Sequence, residues 1–257
     1  GICPVSHHLC AAKAVDGILG IDQLTPTGEK MRRLMHYGQI FQSHALHCFF
    51  LAAPDLLFGF DAPVAKRNIL GVIAERPELA LQGVKMRKFG QEIILATAGK
   101  KVHGTGAIPG GINKNLSLAE RDALLADLVT MLEWSRKAVA LARDFEEISG
   151  FGSFDSNHLS LVRADGAMDL YDGKLRAIDA QGEKILDQVD PGAYLDVLAE
   201  EVRPWSYMKF PYLRQLDAAD GWFRVGPLAR PNVCDFIDTP EAELARRDFL
   251  AVSGGRP

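Results

Sequence analysis

The chain has 257 residues, of which 47% are hydrophobic and 24% charged, so it is able to bury a sizeable core and is not a disordered chain. Its 29 basic and 33 acidic residues give a net charge of −4, which excludes a strong electrostatic footprint for nucleic acid or an anionic membrane. The longest apolar run, CFFLAAPDLLFGF, contains proline and aspartate and falls short of the roughly 20 residues that span a bilayer. The four cysteines show no disulfide-framework spacing, so we expect free thiols and a cytoplasmic protein.

Helices dominate the first part of the chain. Thr25 and Pro26 are typical of a helix N-cap followed by proline at the first helical position, and helical periodicity then predicts one long helix that ends before Pro54. A second helix is predicted over residues 77–98. The stretch that follows, GKKVHGTGAIPGGINKN, contains too many glycines for anything but a loop.

The second part changes from helical to alternating periodicity. Ser117 and Glu120 form an SxxE capping box for a helix predicted to run to about Glu147. From Leu159 onwards, short runs around three turn dipeptides predict an antiparallel meander within residues 159–187. A helix is predicted from Pro191 to about 202, and a charged one near 240–252. The predicted fold class is mixed α and β, mainly α, with a long-helix core and a small antiparallel β meander.

Several candidate site residues have both a structural and a chemical interpretation. Cys3 and His7 have the CxxxH spacing of a metal thiolate with a nearby imidazole, but such pairs are common. Cys10 and Cys48 are predicted to be buried, inert thiols on helical faces. Asp55 lies within an apolar run, so it must be paired, capping or protonated, because burying a lone carboxylate costs several kcal/mol.

The glycine-rich loop and two cationic residues also have two possible interpretations each. His103 and the Pro109-Gly110 pair lie in a loop whose glycines permit positive φ and close backbone approach, which suits either a tight packing loop or the wall of a buried site. Lys209 in KFPYL and Arg230 in GPLAR are either surface cations or groups that support a site.

These stretches together resemble one family. GICPVSHHLC looks like the tail of the RxCGxCxxxH motif of nickel–iron hydrogenase large subunits, and TPTGEKMRRLMHYGQIFQSHALHCFFLAAPDL resembles the helix that follows it. HGTGAIPGG is similar to the family's HxxxxxPGG loop, and KFPYL with GWFRVGPLAR matches its downstream pattern. PVSHHL, HGTGAIPGGINKNL, DGAMDLYDGKLRAID and NVCDFIDTPEAE are most similar to the soluble NAD-reducing type. The resemblance predicts one partial large-subunit domain over residues 1–257, with the β-rich stretch 159–187 as an insertion.

The resemblance implies reversible, heterolytic cleavage of H2 at a nickel–iron centre whose iron carries carbon monoxide and cyanide. Electrons would pass through iron–sulfur clusters of a partner small subunit to NAD, by way of a diaphorase module that carries FMN. Binding of NAD is assigned to that partner, because no GxGxxG follows a predicted strand in this chain.

The same resemblance assigns roles residue by residue. Cys3 matches a cysteine that bridges nickel and iron, and is the metal-ligand candidate. His7 matches the motif histidine near that thiolate, and Asp55 matches an aspartate above the metals; these two are the catalytic candidates. The loop beside the site supplies the cofactor-binding candidates, which are His103, Pro109 and Gly110.

The chain also departs from the family pattern. The first cysteine of the first pair would stand before Gly1, and the second CxxC pair and the arginine-bearing PRG segment are missing from the 257 residues. We therefore expect an internal fragment that is inactive as an isolated chain. Three alternatives remain: a quinone-site electron-transfer protein of the complex I type, which lacks nickel; another cytosolic hydrogenase of the same broad group; and a non-catalytic binding module, which would leave the site-lining loop and Asp55 without a reason.

Overall fold

The computed structural model describes residues 3–143 and 155–252, and the chain divides into two compact units, Gly1–Asp144 and Phe145–Pro257. The first unit consists of helices and one short hairpin. Its elements are α1 (Pro4–Ile18), α2 (Pro26–Leu46), α3 (Ala53–Phe58), α4 (Ile69–Glu75), α5 (Pro77–Ala98), β1 (Ala107–Ile108), β2 (Gly111–Ile112) and α6 (Leu118–Arg143).

The centre of the first unit is the contact between α2 and α5. These helices approach closely because glycines face each other: a Cβ added at Gly90 would lie 2.7 Å from the carbonyl oxygen of Gly38. Around this crossing, α2, the turn that follows it, α5 and α6 bury a common apolar cluster, whose fully buried members are Ala45, Phe49, Met86, Phe89, Ile93 and Met131. Long helices that cross over a small-residue contact therefore form the core, as the fold class predicts.

Both predicted helix N-caps are confirmed. The Thr25 hydroxyl accepts a hydrogen bond from the Gly28 amide at 3.1 Å, directly before Pro26. In the capping box, the Ser117 amide donates to Glu120 Oε2 at 2.8 Å and the Glu120 amide donates to Ser117 Oγ at 3.2 Å. The helix predicted over 77–98 is also confirmed. The predicted end of α6 near Glu147 lies outside the described residues.

The predicted helix end before Pro54 is wrong. After α2 the backbone widens into a π-helical turn over His47–Ala52 and continues into α3, which contains Pro54 in its first turn. Proline has no N–H, and its ring clashes with the carbonyl four residues back in a regular helix. The wider turn directly before Pro54 relieves that clash, so the chain stays helical.

The second unit contains the predicted meander. Its elements are β3 (Asn157–Val162), β4 (Lys174–Ile178), β5 (Lys184–Val189), α7 (Tyr194–Val197), β6 (Leu198–Val202), β7 (Lys209–Leu213), β8 (Phe223–Arg224), α8 (Ala229–Val233) and α9 (Pro240–Val252). Strands β3, β4 and β5 pair antiparallel in sequence order, and β8 joins β3 in parallel. The predicted charged helix near 240–252 is confirmed as α9.

The helix predicted from Pro191 to about 202 is wrong. A 3₁₀ turn over Pro191–Ala193 and the single turn α7 are followed by β6, which pairs antiparallel with β7 in the register Leu198 to Leu213. LAEEV has good intrinsic helix propensity, but such propensities are small in free energy, and pairing with β7 across the loop 203–208 overrides them. Within residues 3–143 and 155–252, no helix is long and apolar enough to cross a membrane.

Candidate functional site

Cys3 lies at the start of a well-defined helix. It is the N-cap residue of α1 and precedes Pro4 at the first helical position. The His7 amide donates to the Cys3 carbonyl at 3.3 Å, which closes the first turn. Cys3 is half-buried and forms no disulfide. A candidate ligand at the end of a regular element is held more rigidly than one in a loop.

The histidine next to His7 makes the contact that sequence analysis missed. His7 is exposed, and its position one turn after Cys3 puts it on the same face of α1. His8 instead lies 2.6 Å, through Nε2, from the carbonyl oxygen of Ala107 in β1. In this hydrogen bond Nε2 is the donor, because a carbonyl oxygen only accepts. The HH pair in the sequence gives no sign of which ring faces the hairpin.

A buried ion pair joins α1 and α2 further along α1 than the contact of His8. Arg32 on α2 is 1% exposed, and its Nη1 lies 2.5 Å from Oδ2 of Asp16 on α1. The same guanidinium donates from Nε to the Gly111 carbonyl at 3.0 Å and from Nη2 to the Ile108 carbonyl at 2.6 Å. Three pieces of chain, namely α1, α2 and the β1–β2 hairpin, therefore meet at one side chain.

The carboxylate of Asp16 is stabilised in its charged form. Burial by itself raises the pKa of this group, but hydrogen bonds from Arg32 and from the Gly110 amide, at 2.7 Å, outweigh burial and hold the pKa below its ordinary value. Asp16 thus remains ionised at neutral pH and forms an ion pair with Arg32. No sequence motif marks either residue, and only the helical phase of Arg32 distinguishes it from the neighbouring Arg33.

The HGTGAIPGG loop is packed against the helices. A Cβ added at Gly106 would lie 2.7 Å from Met35 Sδ and from the Thr97 carbonyl oxygen, and Gly110 has a φ of 76°. Glycine is required where backbone approaches this closely or adopts positive φ. Of the two interpretations of this loop, the geometry matches a tight packing loop.

The three cofactor-binding candidates of that loop are exposed. His103 has a φ of 56°, Pro109 stands at the tip of the hairpin, and the Gly110 amide is already used by Asp16. The role assigned to these residues by resemblance stays a prediction.

Asp55 is paired rather than buried alone. It lies in the first turn of α3, where Ala52 is the N-cap, and its Oδ1 is 3.4 Å from Nε of Arg67. The Asp55 side chain is 45% exposed, so the pair is solvated and worth little by itself. Of the alternatives of pairing, capping and protonation, the geometry matches pairing with a cation, and its catalytic role stays a prediction.

The remaining candidates lie in different surroundings. Lys209 forms an exposed ion pair with Glu200 at 2.8 Å, which raises the pKa of the lysine, whereas burial lowers the pKa of the half-buried Arg230. Cys10 is exposed, so its predicted burial is wrong; the spacing that placed it on an apolar face could not show where α1 meets its neighbours. Burial raises the pKa of the Cys48 thiol, which is half-buried.

The described residues fit one ligand position of a metal centre and not a complete set. Within 3–143 and 155–252, no three side chains of histidine, cysteine, aspartate or glutamate gather closely enough to hold an ion. Cys3 offers the soft sulfur ligand that nickel prefers, and it does so from the start of a regular helix. A thiolate ligand contributed by Cys3 is thus chemically consistent, provided that the other ligands come from elsewhere.

A scan against models of known protein families found no match. Among curated proteins, the beta subunit of the NAD-reducing hydrogenase HoxS from Cupriavidus necator is 44% identical over 272 residues, covering 100% of this chain and 56% of that protein. The matching polypeptide of the F420-non-reducing hydrogenase vhu from Methanocaldococcus jannaschii is 42% identical over 259 residues, covering 99% of this chain and 61% of that protein. The chain thus spans a little over half the length of these relatives.

Solved structures give the same result. An NAD+-reducing [NiFe]-hydrogenase in the H2-reduced state superposes with a TM-score of 0.94 and 56% identity, covering 97% of this chain and 56% of that one. An [NiFeSe]-hydrogenase from Dm. baculatum superposes with a TM-score of 0.70 at 19% identity, covering 98% of this chain and 59% of that one, and shows the shared fold alone.

Proposed function

Because the chain belongs to the family of nickel–iron hydrogenase large subunits, we propose that it forms the part of such a protein that contributes Cys3 to the metal centre for reversible H2 cleavage. The observation that carries the proposal is the likeness to the NAD+-reducing [NiFe]-hydrogenase along nearly the whole chain. Electrons then pass through an iron–sulfur small subunit, and next through an FMN-bearing diaphorase module, to NAD in the cytoplasm.

Each candidate residue has a defined task in this proposal. When bound, the nickel–iron centre, with carbon monoxide and cyanide on its iron, supplies the activation of H2. Cys3 provides one thiolate, since soft sulfur ligands suit a redox-active nickel. His7, one helical turn further on, orients that thiolate and donates a hydrogen bond to it. Asp55 supplies a carboxylate beside the centre, and its ion pair with Arg67 fixes the direction of that side chain.

The 257 residues alone supply one of the four cysteine ligands used in the family. We therefore expect the chain, expressed by itself, to bind no stoichiometric nickel and to have no hydrogenase activity. Elemental analysis of the purified chain checks this expectation, and one nickel per chain would contradict it.

The main test uses the complete large subunit, assembled with its partners. Nickel content and H2-dependent NAD+ reduction are measured for the wild type, for Cys3→Ser and for Cys10→Ser. Cys10 is the matched control, because it lies on the same helix, is exposed and matches no ligand position. We expect Cys3→Ser to lose nickel and activity while Cys10→Ser keeps both. Full nickel in Cys3→Ser would remove Cys3 from the centre.

The same complex, assayed with other electron acceptors, separates the alternatives. A wild-type complex that lacks nickel but transfers electrons to a quinone would support the complex I type of protein. A complex that contains nickel and reduces a viologen dye with H2, but not NAD+, would keep the hydrogenase function and change the acceptor. That second outcome is worth testing because identity to the F420-non-reducing hydrogenase, at 42%, is close to the 44% of the NAD-reducing one.

A further inference from the structure

We propose that Arg32 is a positioning residue that clamps α1, α2 and the β1–β2 hairpin together and thereby fixes the start of α1, where Cys3 lies. Only the consequence for Cys3 as a ligand rests on the proposed function. The clamp itself is a property of the fold and is testable without metal.

The hydrogen bonds of Arg32 explain why arginine is used. Its guanidinium donates to the Asp16 carboxylate on one side and to the carbonyls of Ile108 and Gly111 on the other. A planar fork with five N–H groups reaches both sides at once, whereas a lysine ammonium acts as a single point charge. Arg32 is thus the part of the network that no other common side chain replaces.

Two attachments fix the direction of α1. The Asp16 carboxylate accepts from the Gly110 amide, and His8 Nε2 contacts the Ala107 carbonyl. Both partners belong to the same hairpin, and the two attachment points lie eight residues apart, or about 12 Å along the helix axis. One attachment would leave the helix free to swing, but two fix its tilt.

The position of Cys3 relative to the two attachments makes tilts matter. When the Asp16 end is loosened, α1 pivots about the remaining contact at His8, which lies five residues, or about 7.5 Å of helix, from Cys3. A tilt of about 8° then moves the start of α1 by about 1 Å. Functional groups have to be held within about 0.5 Å of their productive geometry. Loosening the clamp end is therefore expected to disturb a ligand at the other end.

The hydrogen bonds of the Arg32–Asp16 ion pair to the hairpin indicate that the pair does more than contribute stability. Buried ion pairs often contribute little net stability, because desolvation offsets their attraction. Here the cation places two of its hydrogen bonds on the carbonyls of the hairpin, and the anion receives the hairpin's Gly110 amide. Both charged groups are thus directed at the same external element, which is the arrangement expected of a clamp.

The test compares Arg32→Lys with Arg33→Lys in the assembled complex. Arg33 is a matched control because it is the next residue of α2 and forms a solvated i,i+4 pair with Glu29. A 15-residue helix is marginal in water without tertiary contacts, so a loosened α1 exchanges its amide hydrogens faster. We expect Arg32→Lys to speed exchange at residues 7–12 and 107–112 by about tenfold or more relative to α6, and Arg33→Lys to change nothing.

Two results would overturn the clamp. One is faster exchange of the hairpin alone with α1 unchanged, and the other is an equal increase in all helices, which would indicate general loss of stability. If Arg32→Lys does not fold, Asp16→Asn replaces it, because it keeps an acceptor for the Gly110 amide while removing the charge pair.

The metal-loaded complex provides the second measurement. The nickel electron paramagnetic resonance signal reports ligand geometry independently of how much enzyme is active. We expect it to shift or split in Arg32→Lys and to stay unchanged in Arg33→Lys; an unchanged signal in both variants would remove the positioning role. Absence of nickel from the wild type would instead count against the proposed function, and the exchange measurement would still decide the clamp.

Discussion

A side chain at Gly90 would collide with the backbone of Gly38, since its Cβ would come within 2.7 Å of the Gly38 carbonyl oxygen. The contact between α2 and α5 is therefore made by main chain on both sides. Main-chain atoms of regular helices do not move aside as the end of a flexible side chain does.

Replacement of Gly90 by alanine is expected to destabilise the fold by about 2 to 3 kcal/mol through overpacking. Gly17→Ala is the control, because nothing lies within 4 Å of its added Cβ, and alanine in a helix is favoured over glycine by about 1 kcal/mol. Urea unfolding of both variants checks the opposite signs. Equal effects would mean that α2 and α5 are not in backbone contact.

The capping box at the start of α6 gives a second prediction. Ser117→Ala removes the acceptor for the Glu120 amide and is expected to lower stability by about 1 kcal/mol. Ser135→Ala, in the middle of the same helix, removes only a bond to the Met131 carbonyl and is expected to be neutral or slightly stabilising. Thermal unfolding of the two variants distinguishes a cap from general sensitivity of α6, which would lower both melting temperatures.

Arg176 in the second unit pairs with two acids, and we expect the loss of one to destabilise the fold more than the loss of the other. Its side chain is 4% exposed and pairs with Asp187 at 2.6 Å and Asp235 at 2.9 Å, but the first acid is 30% exposed and the second 54%. We expect Asp187→Asn to cost about 2 kcal/mol and Asp235→Asn less than about 1 kcal/mol, since solvent screens the more exposed pair. Denaturant unfolding tests the order, and a larger effect at Asp235 would contradict it.

The lowered pKa of Asp16 predicts a loss of stability in acid. A carboxyl whose folded pKa lies below the unfolded value stabilises the fold fully above the unfolded value, about 4, and loses that contribution as pH falls through the folded value. Asp16→Asn has no such titration. Its deficit in unfolding free energy relative to the wild type is therefore expected to be constant near pH 6 and to shrink below pH 4. Unfolding measured from pH 6 to pH 2 checks this, and a deficit that grows in acid would reverse the assignment.

Local signals in the sequence proved sufficient where the interaction itself is local. Both helix caps join residues three apart, and the caps are where the sequence analysis placed them. The strand β6 was missed because its partner lies beyond a loop and its own letters favour a helix. Helix starts and the turn-linked pairs of the meander are therefore predictable from short windows, whereas the pairing of β6, whose own residues favour a helix, is not.

In the candidate site, too, local motifs identified some residues, whereas contacts between distant parts of the chain were not predictable. Motifs singled out Cys3 and His7, which lie one turn apart at the start of α1. The Asp16 carboxylate and the Gly110 amide are 94 residues apart in the chain, and no spacing rule connects them. Arg32 and Arg33 are identical letters, and only the packing of α2 makes one a clamp and the other a surface group.

The π-helical turn over His47–Ala52 also sets the direction of the residues that follow it. Each such turn holds one residue more than an α-helical turn, so everything after it is rotated by about 100° relative to a helical wheel drawn from α2. The Asp55 side chain therefore points in the direction that a helical wheel drawn from α2 would assign to an adjacent residue. Deleting the exposed Leu51 would remove that extra residue, bring back the clash of the Pro54 ring with the preceding turn, and turn the Asp55 carboxylate away from Arg67. The direction of this acid is thus set by a single inserted residue rather than by its own identity.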